Sequence, residues 1–283
     1  MSDQQRNTPI DQLPWAFVDV ETTGLRPTLG HRVCEIAITR VEPGQPDRSF
    51  SSMVCPGRSI EPEAAAVHGL TTALLATAPP FPKLLDTITA LLDQAVVVAH
   101  NAPFDIGFLT VEHQMANAPL PTNPVLDTLA LAPPIFQLDS GALQTLAVHL
   151  SLPHDNLHRA ATDVRITRAV FERLLANLSE TLESDDPITL DTLLRRQGRP
   201  IPWSIPEPEE LPEVISIALE KGLPVQIAYR KAIGEITNRI IEPMLASDRH
   251  IVAFCRLRQE QRTFRLDRIL SARWPSMPED ASP

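Results

Sequence analysis

An α/β fold, with a mixed five-stranded sheet flanked by helices, is what this 283-residue sequence predicts. Three observations predict it. Short apolar runs such as Ala95-Val96-Val97-Val98-Ala99 have the length and composition of buried strands. Candidate strands come first and strand–helix alternation follows, the order of a mixed sheet covered by helices. Val164, Thr167, Phe171, Leu174 and Leu178 step by three and four, which gives a helix a core-facing stripe.

Strands are expected at 15–20, 32–41, 49–55, 95–99 and 125–127, and helices at 81–92, 104–116, 142–150 and 160–178. The first strand ends in Asp19-Val20-Glu21-Thr22-Thr23-Gly24. Residues i and i+2 of a strand share a face, so Asp19 and Glu21 can grip one cation or share it with a second. Thr22, Thr23 and Gly24 supply a turn whose backbone can approach a ligand closely. Taken alone, the pair also fits an edge strand with two solvated acids.

The run 95–99 is broken by His100-Asn101-Ala102-Pro103, and Pro103 suits the first turn of a new helix. Asp105 then falls where the helix dipole favours an anion. Helix-end electrostatics without chemistry explains that position equally well. His158 stands just ahead of the 160–178 helix and Asp163 within it, while the small Ala160 and Ala161 let the helix pack closely on the sheet. Four carboxylates gathered on an apolar frame are costly unless a cation compensates them. A histidine beside such a cluster suggests metal-assisted phosphodiester hydrolysis with the histidine handling a proton. Mg2+ prefers carboxylate oxygen, and three scattered cysteines give no zinc site.

Composition bounds the class. The odd cysteine count (Cys34, Cys55, Cys255) forms no disulfide framework and points to a reducing, cytoplasmic setting. The polar start and the lack of a long apolar segment give neither a signal peptide nor a membrane span. Eleven Lys and Arg against seven Asp and Glu make 211–274 a +4 segment, on a chain of −10 overall, leaving −14 elsewhere. That acidity argues against strong non-specific duplex binding, which phosphate neutralisation dominates.

From 179 to 210 the character changes to acids and prolines, which reads as a semi-rigid linker with a short helix at 190–196. The domains expected are therefore 1–178, a linker at 179–210, a second domain at 211–275 and a tail at 276–283. The second domain should open with a helix at 214–221, stopped by Gly222. Strands at 225–229, 238–243, 250–256 and 262–266 follow, spaced as in a short β-barrel or curled sheet.

The three motifs occur together and in order, and with them residues 15–178 resemble a DEDDh-type 3′–5′ exonuclease. That family includes the epsilon subunit of DNA polymerase III and ribonuclease T. Its first motif matches Asp19 to Gly24, its second Asn101 to Asp105 and its third His158 to Asp163; Val67-His68-Gly69-Leu70-Thr71 and Leu126-Asp127-Thr128-Leu129 match secondary marks. The resemblance implies a ribonuclease H-like fold. It implies that Asp19, Glu21, Asp105 and Asp163 hold two Mg2+ or Mn2+ ions, and that His158 takes a proton from the attacking water. It places Thr22, Thr23, Gly24 and Asn101 at the substrate. His68 could join them or be a structural histidine at a helix end.

Residues 213–274 resemble a WYL domain, a small SH3- or Sm-like barrel. The marks are Ile227-Ala228-Tyr229, Arg239 to Pro243 and Arg262 to Ile269; the chain departs from the name-giving tripeptide with His250-Ile251-Val252. That resemblance implies nucleic-acid or nucleotide binding, with Tyr229, Arg239, Arg262 and Arg265 as contacts. A dimerisation module is the other reading of this domain. The whole chain is then expected to remove nucleoside 5′-monophosphates from the 3′ ends of single-stranded DNA. The alternatives are short RNA as the substrate, or a ligand-sensing nucleic-acid-binding regulator.

Overall fold

Strand β1 (Trp15–Thr22) is the centre of the first sheet because its two faces feed two different cores. Trp15 and Phe17 belong to one apolar cluster, and Ala16, Val18 and Val20 to the other. That alternation is the period of two read along the strand. The computed structural model describes residues 6–138, 141–153, 158–181, 187–205, 211–231, 234–246 and 250–275. The chain divides into two compact units, Met1–Pro206 and Glu207–Pro283.

In the first unit β2 (Val33–Val41) pairs antiparallel with β1, and β3 (Arg48–Met53) antiparallel with β2. Two short helices, α1 (Pro62–His68) and α2 (Thr72–Leu75), follow, then α3 (Leu85–Leu92). Strand β4 (Val96–Ala99) pairs parallel with β1, and β5 (Val125–Asp127) parallel with β4, with α4 (Ala102–Met115) between them. The order β3-β2-β1-β4-β5 is the mixed five-stranded sheet expected.

After β5 come α5 (Thr128–Phe136), α6 (Leu143–His149) and α7 (Ala160–Thr181). All five residues of the α7 stripe are buried. Helices α1, α2 and α5 were not legible in the sequence. The first two are only seven and four residues long, and α5 contains Pro133 and Pro134, which ordinarily argue against a helix.

Residues 187–205 are not a free linker. Ile188, Leu190 and Leu193 enter the core cluster of Leu13, Trp15 and Phe171, with α8 (Leu190–Gln197) started by a Thr189/Thr192 capping box. The Gln197 side-chain amide accepts from Asp127 N–H (2.8 Å) and donates to Val125 O (3.2 Å), so it continues the ladder on the outer side of β5. Trp203 donates through Nε1 to Asn123 O at 3.1 Å. The short helix expected at 190–196 is present, and what the proline-rich composition concealed is that it packs into the core and caps a sheet edge.

The second unit opens with α9 (Glu213–Lys221), then β6 (Val225–Arg230), β7 (Ile236–Ala246), β8 (His250–Cys255), β9 (Glu260–Arg265) and β10 (Ile269–Arg273). Strand β10 was not anticipated. The sheet is antiparallel in the order β10-β6-β7-β8-β9 and packs Val225, Ile227, Ile241, Ile251 and Phe264 over α9's Ile215 and Ala218. Among the described residues nothing pairs β9 with β10, so of the two forms expected, a short barrel or a curled sheet, this is the curled open sheet.

Candidate active site

Asp19 and Glu21 continue the β1 face that begins with Trp15 and Phe17. Those two rings pack on Phe171 of α7, at centroid distances of 5.0 and 5.8 Å. About two turns nearer the start of α7 lies Asp163, so the packing of one helix on one strand brings the three acids together. One oxygen from each of Asp19, Glu21 and Asp163 lies within 4.8 Å of the others.

Asp105 arrives from the other side. Strand β4 pairs with β1 only as far as Phe17↔Val98, and beyond that point Val20 N–H donates to Asp105 Oδ1 at 3.0 Å. The turn that delivers it contains Asn101 in the left-handed region (φ 63), with its N–H donating to Asp127 Oδ1 at 2.8 Å. Asp105 lies outside the 4.8 Å trio but is near enough to raise Asp19.

The electrostatics are those of an uncompensated anion cluster. Burial first, then Asp105, Asp163 and Glu21, push Asp19 well above the usual carboxylate range. Burial, Asp163 and Glu35 push Glu21 up to about 8, opposed by Arg159. Burial raises Asp163 to about 6, against the neighbouring His158. Asp105 is also raised, chiefly by burial. Among the described residues no Lys or Arg makes an ion pair with any of the four. Clustered carboxylate oxygens lacking a counter-charge are a donor set for hard divalent cations, so these residues fit the metal that the motifs imply.

His158 is exposed and has φ 65; its backbone N–H donates to Asp163 Oδ1 at 3.3 Å. The next residue, Arg159, forks onto Glu35 of β2. Glu35 stands directly opposite Glu21 in the β1–β2 ladder and was not recognised in the sequence. The available signal was an acid inside the apolar run 33–38.

Several expected substrate contacts have other work. The Thr22 hydroxyl donates to Gly24 O (2.7 Å), and the Thr23 hydroxyl, fully buried, accepts from Arg32 N–H (3.0 Å). Gly24 is required by the His31 ring, which a Cβ there would meet at 2.5 Å. His68 is buried, and Leu70 N–H donates to its Nδ1 (3.0 Å), leaving Nε2–H to donate to Thr22 O (3.2 Å). With both nitrogens engaged it is the structural histidine of the two readings. Asn101 has no side-chain hydrogen bond among the described residues and remains available.

In the second unit, Arg265 is forked onto Asp267 (2.9 and 2.7 Å), and Arg262 lies 3.4 Å from Glu260. Arg239 is buried, with its guanidinium 5.8 and 5.9 Å from the Tyr229 and Phe264 ring centroids and Nε donating to Thr237 Oγ1 at 3.1 Å. It has no carboxylate partner among the described residues. The four contacts expected therefore do not form one free basic surface.

Residues 16–171 match the protein family described as Exonuclease, which is more than half of the chain. The chain belongs to the exonuclease family. Residues 210–274 match the WYL domain family. A DNA polymerase III subunit epsilon-like protein of Rhodobacter capsulatus is 37% identical over 176 residues, which is 60% of this chain and 25% of that protein. The 3′–5′ exonuclease DinG of Bacillus subtilis is 35% identical over 167 residues, covering 59% of this chain and 18% of that protein. The match thus spans a quarter or less of these two relatives. Exonuclease X, solved with 5′ overhanging duplex DNA, is 25% identical with a TM-score of 0.50, over 65% of this chain and 99% of that one. No helix among the described residues is long and apolar enough to cross a membrane.

Proposed function

We propose that this protein is a divalent-metal-dependent 3′–5′ exonuclease that releases nucleoside 5′-monophosphates from single-stranded DNA ends. The observation that carries this reading is the partly buried Asp19–Glu21–Asp163 cluster, which has His158 at its edge and, among the described residues, no ion pair to a Lys or Arg. Asp19, Glu21 and Asp163, with Asp105 completing the set, would hold two Mg2+ or Mn2+ ions. Bound there, such ions stabilise both the attacking and the leaving oxygen of an in-line displacement.

The chain's own residues do the rest. His158 accepts the proton of the attacking water at a ring nitrogen, from an exposed position that a strand end can reach. Asn101 offers its amide to the terminal nucleotide. The Thr22–Gly24 turn contributes backbone only, because its hydroxyls are committed internally. DNA is favoured over RNA because the Rhodobacter capsulatus relative carries a DNA polymerase name and exonuclease X was solved on DNA. The test compares matched single-stranded DNA, single-stranded RNA and duplex DNA with Mg2+ and with Mn2+. Faster turnover of RNA than of DNA sinks the substrate assignment while leaving the chemistry intact.

For the second unit, nucleic-acid or nucleotide binding is proposed, centred on Arg239. A buried guanidinium with aromatic faces and, among the described residues, no acid partner retains donors suited to phosphate. Arg239→Leu should weaken binding of single-stranded DNA or nucleotides at low salt and leave the turnover number unchanged. Unaltered affinity for both ligands returns this unit to the dimerisation reading.

A further inference from the structure

Glu35 is a charge that the exonuclease site does not need for binding cations and that makes the site electrostatically worse. It is buried, faces Glu21 across the ladder, and adds its repulsion to Asp19, Glu21 and Asp163. A buried ion pair is a weak source of stability compared with apolar packing. Arg159, with 42% of its side chain exposed, gains little from the pairing. Stability therefore does not explain the pair, but its geometry does.

Three hydrogen bonds from two consecutive residues converge on the Glu35 carboxylate. Arg159 Nε reaches Oε2 at 3.1 Å, Arg159 Nη2 reaches Oε1 at 2.7 Å, and Ala160 N–H reaches Oε2 at 3.1 Å. The last is one of the unpaired N–H groups that open a helix. The residue immediately before this clamp is His158, held at φ 65, a backbone region that non-glycine residues enter only when their surroundings enforce it. Asp163 touches the same segment, accepting from His158 N–H at 3.3 Å and donating its own N–H to Arg159 O at 3.1 Å, but it is also anchored by the buried side chains of Val164, Thr167 and Phe171 along α7. The exposed His158 has no such packing.

We propose that Glu35 is a positioning residue for the proton acceptor: by fixing residues 159 and 160 through the Arg159 fork and the Ala160 N–H, it sets the orientation of His158 over the carboxylate cluster. This rests on the reading of His158 given above. A misplaced catalytic group costs rate more than affinity, so the effect belongs to kcat.

The test is a double-mutant cycle on a 5′-labelled single-stranded DNA with saturating Mn2+, using wild type, Glu35→Gln, His158→Ala and the double variant. Glu35→Gln should lower kcat by about 10²-fold with KM nearly unchanged. In the His158→Ala background it should have almost no further effect, because residues acting as a unit are non-additive. Independent multiplicative losses, or wild-type kcat in Glu35→Gln, overturn the proposal. Arg159→Lys, which keeps the charge but loses the fork, must show the same non-additivity if Glu35→Gln folds poorly. Amide hydrogen exchange supplies a readout without turnover: residues 158–161 should exchange faster in Glu35→Gln while 164–171 stay protected. Equal protection at 158–161 overturns the clamp even if the enzyme is active. Wild-type turnover in His158→Ala, with the exchange change present, instead faults the role given to His158.

Discussion

Glu21 and Glu35 face each other across the β1–β2 ladder, and only Glu35 has a cationic partner among the described residues. Arg159 forks onto Glu35, while Glu21 is left with its carboxyl pushed up to about 8, Glu35 contributing to that rise. One acid of the pair is engaged by a protein cation and the other is not.

That asymmetry fixes a pH dependence. Glu21 is raised from 4.5 to about 8, so between those values the folded metal-free protein keeps a proton that the unfolded chain has lost. Stability then falls as pH rises through that window. His31, His68, His100 and His113 are lowered from 6.5, chiefly by desolvation, and they act oppositely below that value. The clean interval is therefore about pH 6.5 to 8. Melting in EDTA should drop across it, Mn2+ should restore more stability at pH 8 than at 6.5, and Glu21→Gln should flatten the drop. A metal-free Tm that rises over this interval contradicts the charge assignment.

Gly24→Ala should destabilise the protein by ~1–3 kcal/mol, the cost typical of overpacking. The added Cβ would meet the His31 ring at 2.5 Å, while His31 Nδ1 already accepts from Arg26 N–H at 3.0 Å. Because the same turn follows Glu21, turnover should fall along with stability. Denaturant melts paired with rates check this, and an unchanged midpoint would show that the ring moves freely.

Leu193→Ala should cost about 2–5 kcal/mol, as for other fully buried leucines. A chain ending at residue 178 should lose more, because it removes Ile188, Leu190 and Leu193 from the core together with the Gln197 cap on β5. Urea titration of both variants measures this. A truncated first unit as stable as the full chain would return residues 187–205 to the linker reading.

What could be read from the sequence was whatever is local. Asp19 and Glu21 were legible because the strand period puts i and i+2 on one face, and the α7 stripe because 3.6 periodicity runs uninterrupted over four apolar positions and Thr167. Strand β5 was placed at its observed bounds, Val125–Asp127. Glu35 was not legible because its partner is 124 residues away and a lone acid in an apolar run has no local meaning. Thr22, Thr23 and His68 were given substrate roles because a motif marks a neighbourhood without distinguishing hydroxyls that face a ligand from those that build the turn. Arg239 looked like a surface contact, although its guanidinium is buried among Tyr229 and Phe264.

The central claim is that the carboxylate cluster hydrolyses a strand from its 3′ end with divalent metal. The most direct measurement follows a 5′-labelled single-stranded DNA on a sequencing gel, with product analysis, for wild type and Asp19→Asn in Mn2+ and in EDTA. Wild type in Mn2+ should shorten the label one nucleotide at a time and release nucleoside 5′-monophosphates. EDTA should stop it, and Asp19→Asn should be inactive while melting in EDTA at pH 8 at or above the wild-type temperature. Undiminished cleavage by Asp19→Asn, or immediate loss of the 5′ label as a mononucleotide, would contradict the account.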